Sequence, residues 1–204
     1  MKTKSVIVFA LSLTALISSC TVFSVHPLYT DSNVVREDKL IGLWREFDEG
    51  DAYVEINPLH PPAYSLTYWE DEDTLRFDIH YLKVGNYYFI DLYPDADFIT
   101  EMLMDNYFPV HSFLKIELSD KGMYVYMFNG EKMIQLFKQN RIRLKHELIN
   151  LSGKEYNIGE IRGLKDNRNC VLITAETEDL QKFILKYSSD KESFEDPMIF
   201  EKVN

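Results

Sequence analysis

The stretch TLRFDIHY, residues 74–81, alternates apolar and polar side chains. Its apolar members are Leu75, Phe77, Ile79 and Tyr81, and its polar members are Arg76, Asp78 and His80. Successive side chains of a β-strand point to opposite faces, so the pattern predicts a strand with one face in a core and one in water. The rest of the chain is best interpreted around this strand.

Short runs rich in β-branched and aromatic residues lie on both sides of it. The turn Gly85-Asn86 is of the kind that joins antiparallel neighbours, and residues 119–122 form a slightly longer turn. Consecutive hairpins predict a mainly β fold, with a minor α+β component, built as an antiparallel meander sheet. The predicted strands are 40–47, 51–56, 63–69, 74–84, 87–93, 110–118, 123–128 and 198–203.

Two or three helices are expected to interrupt the meander. Helical spacing of apolar residues occurs at 95–106 and again at 133–137, where Asn129 is a suitable N-cap. The strongest helix is predicted near the C-terminus, at 178–187, with Thr177 as its N-cap. Its apolar face consists of Leu180, Phe183, Ile184 and Tyr187.

The first twenty residues are organised like a secretory signal. Lys2 and Lys4 give a basic start, an apolar run follows at 6–17, and small residues precede Cys20. The run is shorter than the roughly 20 apolar residues of a membrane-spanning helix, so we expect it to be cleaved. LISSC at 16–20 resembles the lipobox of bacterial lipoproteins, which implies cleavage between Ser19 and Cys20 and a lipid on the Cys20 thiol. An ordinary secretory peptide with an accidental cysteine is the alternative.

This interpretation divides the chain into a signal peptide at 1–19, an extended tether at 20–39 and a single β-rich domain at 40–204. The lipoprotein pattern implies three acyl chains on Cys20, which would hold the protein in a membrane. Thr21 is not the aspartate that retains lipoproteins at the inner membrane of enteric bacteria, so an outer-membrane protein facing the periplasm is favoured. The net charge of −11 at pH 7 argues against a nucleic-acid partner.

Several sequence blocks resemble a group of small, functionally uncharacterised bacterial lipoproteins. The Gly42-x-Trp44 pair on the first predicted strand also resembles the entry motif of lipocalin-type barrels, in which the tryptophan closes one end. This resemblance implies a lipocalin-like barrel as the alternative to an open sheet and makes Trp44 a candidate binding residue. The blocks are HPLYT at 26–30, GLW at 42–44, DLYP at 91–94, PVHSF at 109–113 and TAETEDLQKF at 174–183.

Two of the predicted strands carry a candidate polar site. If 87–93 and 110–118 pair, they bring together Asp91, Tyr93, His111 and Ser112. One interpretation is structural: Asp91 hydrogen-bonds His111 and holds a strand junction. The other is catalytic, with Asp91, His111 and the Ser112 hydroxyl forming a hydrolase site.

Signatures of metal ions and cofactors are missing from the sequence. It contains no Gly-x-Ser-x-Gly elbow, no phosphate-binding glycine loop and no Cys-x-x-Cys pair. His146-Glu147 lacks the second histidine of a zinc-protease helix and lies in an alternating, strand-like segment at 141–148. The acidic clusters at 46–51 and 70–73 are interpreted as solvated turns rather than calcium loops, and Cys170 as a buried thiol. We expect no metal, no cofactor and no enzymatic activity.

Binding is therefore the expected function. A sheet curved around aromatic side chains can enclose a cavity, so the first expectation is a small apolar molecule or lipid in a pocket beside Trp44. The alternative is a protein–protein interaction module of the cell envelope with a filled core. In that case Tyr64, Tyr68 and Trp69 would form an exposed patch. A hydrolase is the third and least favoured possibility.

The lipobox interpretation predicts that Cys20→Ser abolishes acylation, because a hydroxyl cannot form the thioether that carries the lipid. The variant should leave the membrane fraction, as measured by labelled fatty-acid incorporation and by a carbonate wash of the membrane pellet. Cys170→Ser is the control and should keep both label and membrane association. Labelled fatty acid in Cys20→Ser would contradict the interpretation.

Overall fold

The structure, a computed structural model, describes residues 22–47, 52–70, 73–97, 99, 108–150, 154–158, 161–166 and 169–203. The predicted signal peptide, Cys20 and most of the predicted helix at 95–106 lie outside these ranges. Within them, no helix is both long and apolar enough to cross a membrane.

Most of the described elements are β-strands. In chain order they are β1 (Val22–Ser24), β2 (Gly42–Glu46), β3 (Tyr53–Pro58), β4 (Tyr64–Glu70), β5 (Asp73–Val84), β6 (Tyr87–Pro94), β7 (Ser112–Ser119), β8 (Gly122–Tyr126), α1 (Gly130–Lys138), β9 (His146–Asn150), β10 (Lys154–Ile158), β11 (Ile161–Asp166), β12 (Asn169–Ile173), α2 (Thr177–Tyr187) and β13 (Met198–Lys202). Short 3-10 helices lie at Asp38–Leu40 and Lys191–Ser193.

Eight antiparallel strands close into a barrel in the order β13-β2-β3-β4-β5-β6-β7-β8. The mainly β, lipocalin-like prediction is therefore confirmed, and the barrel is the correct choice over the open sheet. Strands β2 to β8 follow one another as hairpins, and β13 closes the barrel by pairing with both β8 and β2. The predicted Gly85-Asn86 turn joins β5 to β6, and Gly85 has the left-handed φ of 60° that favours glycine.

A second layer packs on the outside of the barrel. Most of it lies between β8 and β13 in the chain and contains α1, α2, β9 and β12, and the N-terminal strand β1 completes a three-stranded sheet of order β1-β12-β9. Strands β10 and β11 form a separate hairpin. Strand pairing closes the barrel despite the insertion, because Phe200 of β13 faces Met123 on one side and Glu46 on the other.

The barrel wall consequently separates two apolar cores. Along β5 and β6, the side chains of Ile79, Tyr81 and Ile90 point into the barrel core. The alternate side chains Leu82 and Phe89 belong to the outer core. The outer core also contains Leu28, Phe113, Phe137, Val171, Ile173, Leu180, Phe183 and Ile184. Residues 75–81 thus have the predicted inward face. The opposite face of β5 is only partly exposed to solvent, because the outer layer covers the C-terminal end of the strand.

The prediction of an extended tether over 20–39 does not fit the described residues. Val22–Ser24 forms β1, which pairs in parallel with β12, and the Leu28 side chain is fully buried. Further along, the Val35 N–H donates to the Tyr81 carbonyl at 2.9 Å. These residues contact elements that are distant in the chain, and such contacts leave no periodic pattern in the sequence.

The two later helix predictions, which lie in the described residues, agree with the structure in position and differ in one cap. The Asn129 side chain accepts from the Lys132 N–H at 2.9 Å and caps α1 as predicted. In α2 the N-cap is Glu176, and Thr177 is the first helical residue. The Thr177 hydroxyl instead donates to the Pro27 carbonyl at 2.7 Å, so it holds the N-terminal segment rather than its own helix.

Trp44 lies in the barrel core, where its Nε1–H donates to the Leu40 carbonyl at 2.8 Å. We predict that Trp44→Ala lowers the free energy of unfolding by about 3 to 5 kcal/mol, because the change removes a large buried aromatic side chain. Trp69→Ala is the matched control, since Trp69 is half-buried on the outer face of β4 and should cost clearly less. Denaturant melts measure both. A loss below about 1 kcal/mol for Trp44→Ala would contradict the placement of the indole in the core.

Candidate functional site

Large side chains of the protein itself fill the barrel interior. Tyr64 and Tyr68 point inward and are buried, so the exposed patch of Tyr64, Tyr68 and Trp69 predicted for an interaction module is wrong for the two tyrosines. The Tyr68 hydroxyl donates to Glu70 Oε2 at 2.9 Å, and burial raises the pKa of that phenol. Other buried residues of this core are Trp44, Ile56, Ile79, Tyr81, Ile90, Ile116 and Phe200.

The predicted pairing of Asp91 with His111 is present, and it lies on the outer face of the barrel wall. His111 Nδ1 lies 2.7 Å from Asp91 Oδ1. The other carboxyl oxygen, Asp91 Oδ2, accepts from the Leu28 N–H at 2.6 Å. Asp91 is 1% exposed, so both of its oxygens find donors in an interior from which water is excluded.

Aromatic rings surround this pair. The Tyr93 ring lies over His111, with centroids 4.5 Å apart, and Tyr29 stacks on His80 at 3.8 Å. His80 is the cross-strand neighbour of Asp91. Burial lowers the pKa of His80, the nearby Asp91 opposing that shift, and burial raises the pKa of the Tyr29 hydroxyl. The cluster therefore combines polar atoms with close ring packing.

Alternation along β7 separates Ser112 from this cluster. Ser112 pairs with Leu92, whose side chain is in the barrel core, whereas Phe113 pairs with Asp91 in the outer core. Neighbouring residues of a strand face opposite ways, so the Ser112 side chain is directed away from His111. The predicted convergence is thus correct for Asp91, Tyr93 and His111 and wrong for Ser112. Trp44 is not part of the cluster either, because it lies in the barrel core.

The cluster around Asp91 and His111 holds residues 24–28 against the barrel by hydrogen bonds. Ser24 and His111 exchange backbone hydrogen bonds of 3.0 and 2.8 Å, beside the Asp91 contact with Leu28. From the other side, Gln181 of α2 donates through Nε2 to the Leu28 carbonyl at 2.8 Å. The arrangement matches the structural interpretation of His111, in which the ring and its partner hold a junction between elements.

A groove of about 460 Å³ opens on the outer layer, between α2 and the irregular segment that leads from α1 into β9. Its apolar lining is contributed by both walls, and cationic side chains line it as well. The volume is within the range of pockets that bind small molecules. The lining consists of Ile142, Arg143, Leu144, Lys145, Thr174, Ala175, Glu176, Asp179, Lys182, Phe183, Lys186 and Tyr187.

Sequence reasoning did not identify this groove, although two patterns in it are visible. Residues 141–148 alternate, which predicts a strand over the whole segment, but the strand begins only at His146. On α2, Lys182 and Lys186 are four residues apart, which places them on one side of the helix. The alternating residues of 142–145 and the two lysines of α2 line one groove only because α2 packs beside that segment.

Two other residues considered as functional candidates, Cys170 and His146, lie within strands of the outer layer. Cys170 is buried in β12, as predicted, and His146 lies in β9, with Nδ1 2.6 Å from the Leu144 carbonyl. In the part of the chain that the structure describes, no group of three or more His, Cys, Asp or Glu side chains is placed to bind a metal ion. Most of the acidic cluster 46–51 lies outside the described residues.

Comparison with known proteins found no matching family model, no matching curated protein and no matching solved structure. The site is therefore interpreted from its own geometry.

The geometry predicts that His111→Ala lowers the free energy of unfolding by about 1 to 3 kcal/mol, because it leaves a buried oxygen of Asp91 without its donor. His111→Gln keeps a donor and should recover part of the loss. His60→Ala is the control, since His60 is exposed. Denaturant melts measure stability and a deletion strain measures function. Unchanged stability of His111→Ala together with the deletion phenotype would contradict the structural role.

Proposed function

We propose that this protein is a membrane-anchored lipoprotein of the cell envelope that binds a small apolar or amphiphilic molecule in the groove beside α2. The anchor is the lipid on Cys20, and the outer membrane facing the periplasm is the favoured location. The groove replaces the pocket beside Trp44 that the lipocalin resemblance suggested, because the barrel interior holds the protein's own side chains.

The observation that carries this proposal is the combination of volume and apolar lining in the groove. Both walls contribute large apolar groups, Leu144 from one and Phe183 and Tyr187 from the other. Burying such surface against an apolar ligand contributes about 25 cal/mol per Å². The two walls are also held together, because the Thr174 N–H donates to the Lys145 carbonyl at 2.9 Å. A preformed groove loses less entropy on binding than one that must first be assembled.

A protein partner in the envelope is the second candidate. Leu148 and Ile149 on β9 are 41% and 37% exposed, on the outer strand of the three-stranded sheet. Apolar side chains on such an outer strand suit strand pairing or apolar contact with another chain. The two candidates use different residues of one segment, which makes them separable.

The test is native mass spectrometry of the acylated protein extracted from its own host. We expect a retained small molecule in addition to the acyl chains. Leu144→Asp should abolish the retention by placing a charge in the groove, whereas Leu148→Asp, four residues away on an exposed position, should preserve it. Circular dichroism melts of both variants show whether each still folds.

The opposite outcome supports the second candidate. A co-purifying protein that is lost in Leu148→Asp and kept in Leu144→Asp would overturn the small-molecule proposal. A folded wild-type protein that retains no small molecule would overturn it as well.

A further inference from the structure

We infer that the ligand of the groove is a single-chain anionic amphiphile of the fatty-acid type, with its carboxylate among the basic side chains of the rim. This inference rests on the proposed function and deepens it by naming the chemical class. It follows from the charge on the two walls of the groove and from the apolar lining beneath that charge.

Positive charge is concentrated in the groove of a strongly acidic protein. Arg143 and Lys145 line one wall, and Lys182 and Lys186 line the other. The lining holds only two carboxylates, from Glu176 and Asp179, so cations are in excess although the whole chain carries a net charge of −11. A local excess of one charge in a concave site attracts ligands of the opposite charge.

Three of these cations are available to a ligand. Lys182 Nζ is paired with Asp179 at 2.8 Å, which raises the pKa of that lysine. Among the residues that the structure describes, Arg143, Lys145 and Lys186 form no ion pair. Lys186 Nζ lies 5.2 Å above the Tyr187 ring, so one cation is held directly over an apolar part of the lining.

The apolar part of the groove suits an alkyl chain. Ile142 and Phe183 are buried within the outer core, and Leu144 and Tyr187 pack against that core while remaining partly exposed. Apolar lining under a basic rim fits a molecule with one charged end and one apolar body better than it fits a free inorganic anion. The groove has a volume of about 460 Å³, and this size suits a ligand with one alkyl chain.

The groove lies away from the point where the chain runs toward its anchor. Val22, the described residue nearest to Cys20, pairs with Val171, whereas the groove begins at Thr174. Three residues of a strand span about 10 Å. Because β1 and β12 are parallel, the groove begins beyond the Ser24 end of β1 and not at its Val22 end. Docking of the groove on the bilayer that holds the anchor is the alternative that the experiment must distinguish.

The experiment uses the acylated protein in discs of a neutral zwitterionic lipid. Two photoactivatable probes carry the same dodecyl chain and diazirine, one as a carboxylate and one as an uncharged glycerol ether. We expect the carboxylate probe to label residues 142–145 and 174–187, read by peptide mass spectrometry, about tenfold more than the neutral probe. Unlabelled dodecanoate should compete, and inorganic phosphate at millimolar concentration should not.

Charge variants provide the second arm. Arg143→Gln with Lys186→Gln should lower labelling by the carboxylate probe about tenfold, because the change removes two of the cations that line the groove. The matched control is Lys121→Gln with Lys191→Gln, which removes two exposed cations elsewhere and should leave labelling unchanged. Equal melting temperatures confirm that both variants fold.

The outcomes separate the two proposals. Equal labelling by both probes, or unchanged labelling in Arg143→Gln with Lys186→Gln, would overturn the anionic ligand and leave apolar binding in place. Competition by phosphate alone would also overturn it, as would loss of labelling when the disc contains an anionic phospholipid, which would assign the groove to the bilayer surface. No labelling of the groove by either probe would overturn the proposed function itself.

Discussion

The burial of the barrel wall on both of its faces is the constraint on which the rest of the structure depends. Strands β5, β6 and β7 contribute alternate side chains to the barrel core and to the outer core. In a simple meander barrel the outer face of these strands would meet water. Here the apolar residues Leu82, Val84 and Phe89 require a cover, and α1, α2 and the three-stranded sheet of β1, β12 and β9 supply it. The barrel and its outer layer therefore stabilise each other across a shared wall.

Polar groups within such a wall must be satisfied locally, since no water reaches them. Asp91 lies in the middle of β6, and its two oxygens accept from His111 and from the Leu28 N–H. This requirement explains why the segment after Cys20 packs on the barrel instead of forming a free tether. The Thr177 hydroxyl and the Gln181 amide, both on α2, hold the same segment at Pro27 and Leu28. One buried carboxyl group thus links the N-terminal segment, the barrel wall and, through that segment, the second layer.

The groove lies on the outer layer and not inside the barrel. Similarity of fold suggests a ligand inside the barrel, but the interior here is occupied by side chains such as Tyr64 and Trp44. The cavity instead lies where α2 meets residues 142–145, in the part of the chain inserted between β8 and β13. In this protein the barrel supports the outer layer, and the groove proposed to bind a ligand lies in that layer.

Much of the fold was determined by local sequence. Period-two alternation at 74–81, the Gly85-Asn86 turn and the spacing of Leu180, Phe183 and Ile184 each identified an element, because strand and helix periodicities are properties of contiguous residues. The pairing of Asp91 with His111 was also predictable, since it requires only that two neighbouring strands pair. Tertiary structure alone decided which face of each strand met which core. It separated Ser112 from His111, buried Leu28, and brought Arg143 and Lys186 to one groove, because contacts between distant segments leave no periodic signal in the sequence.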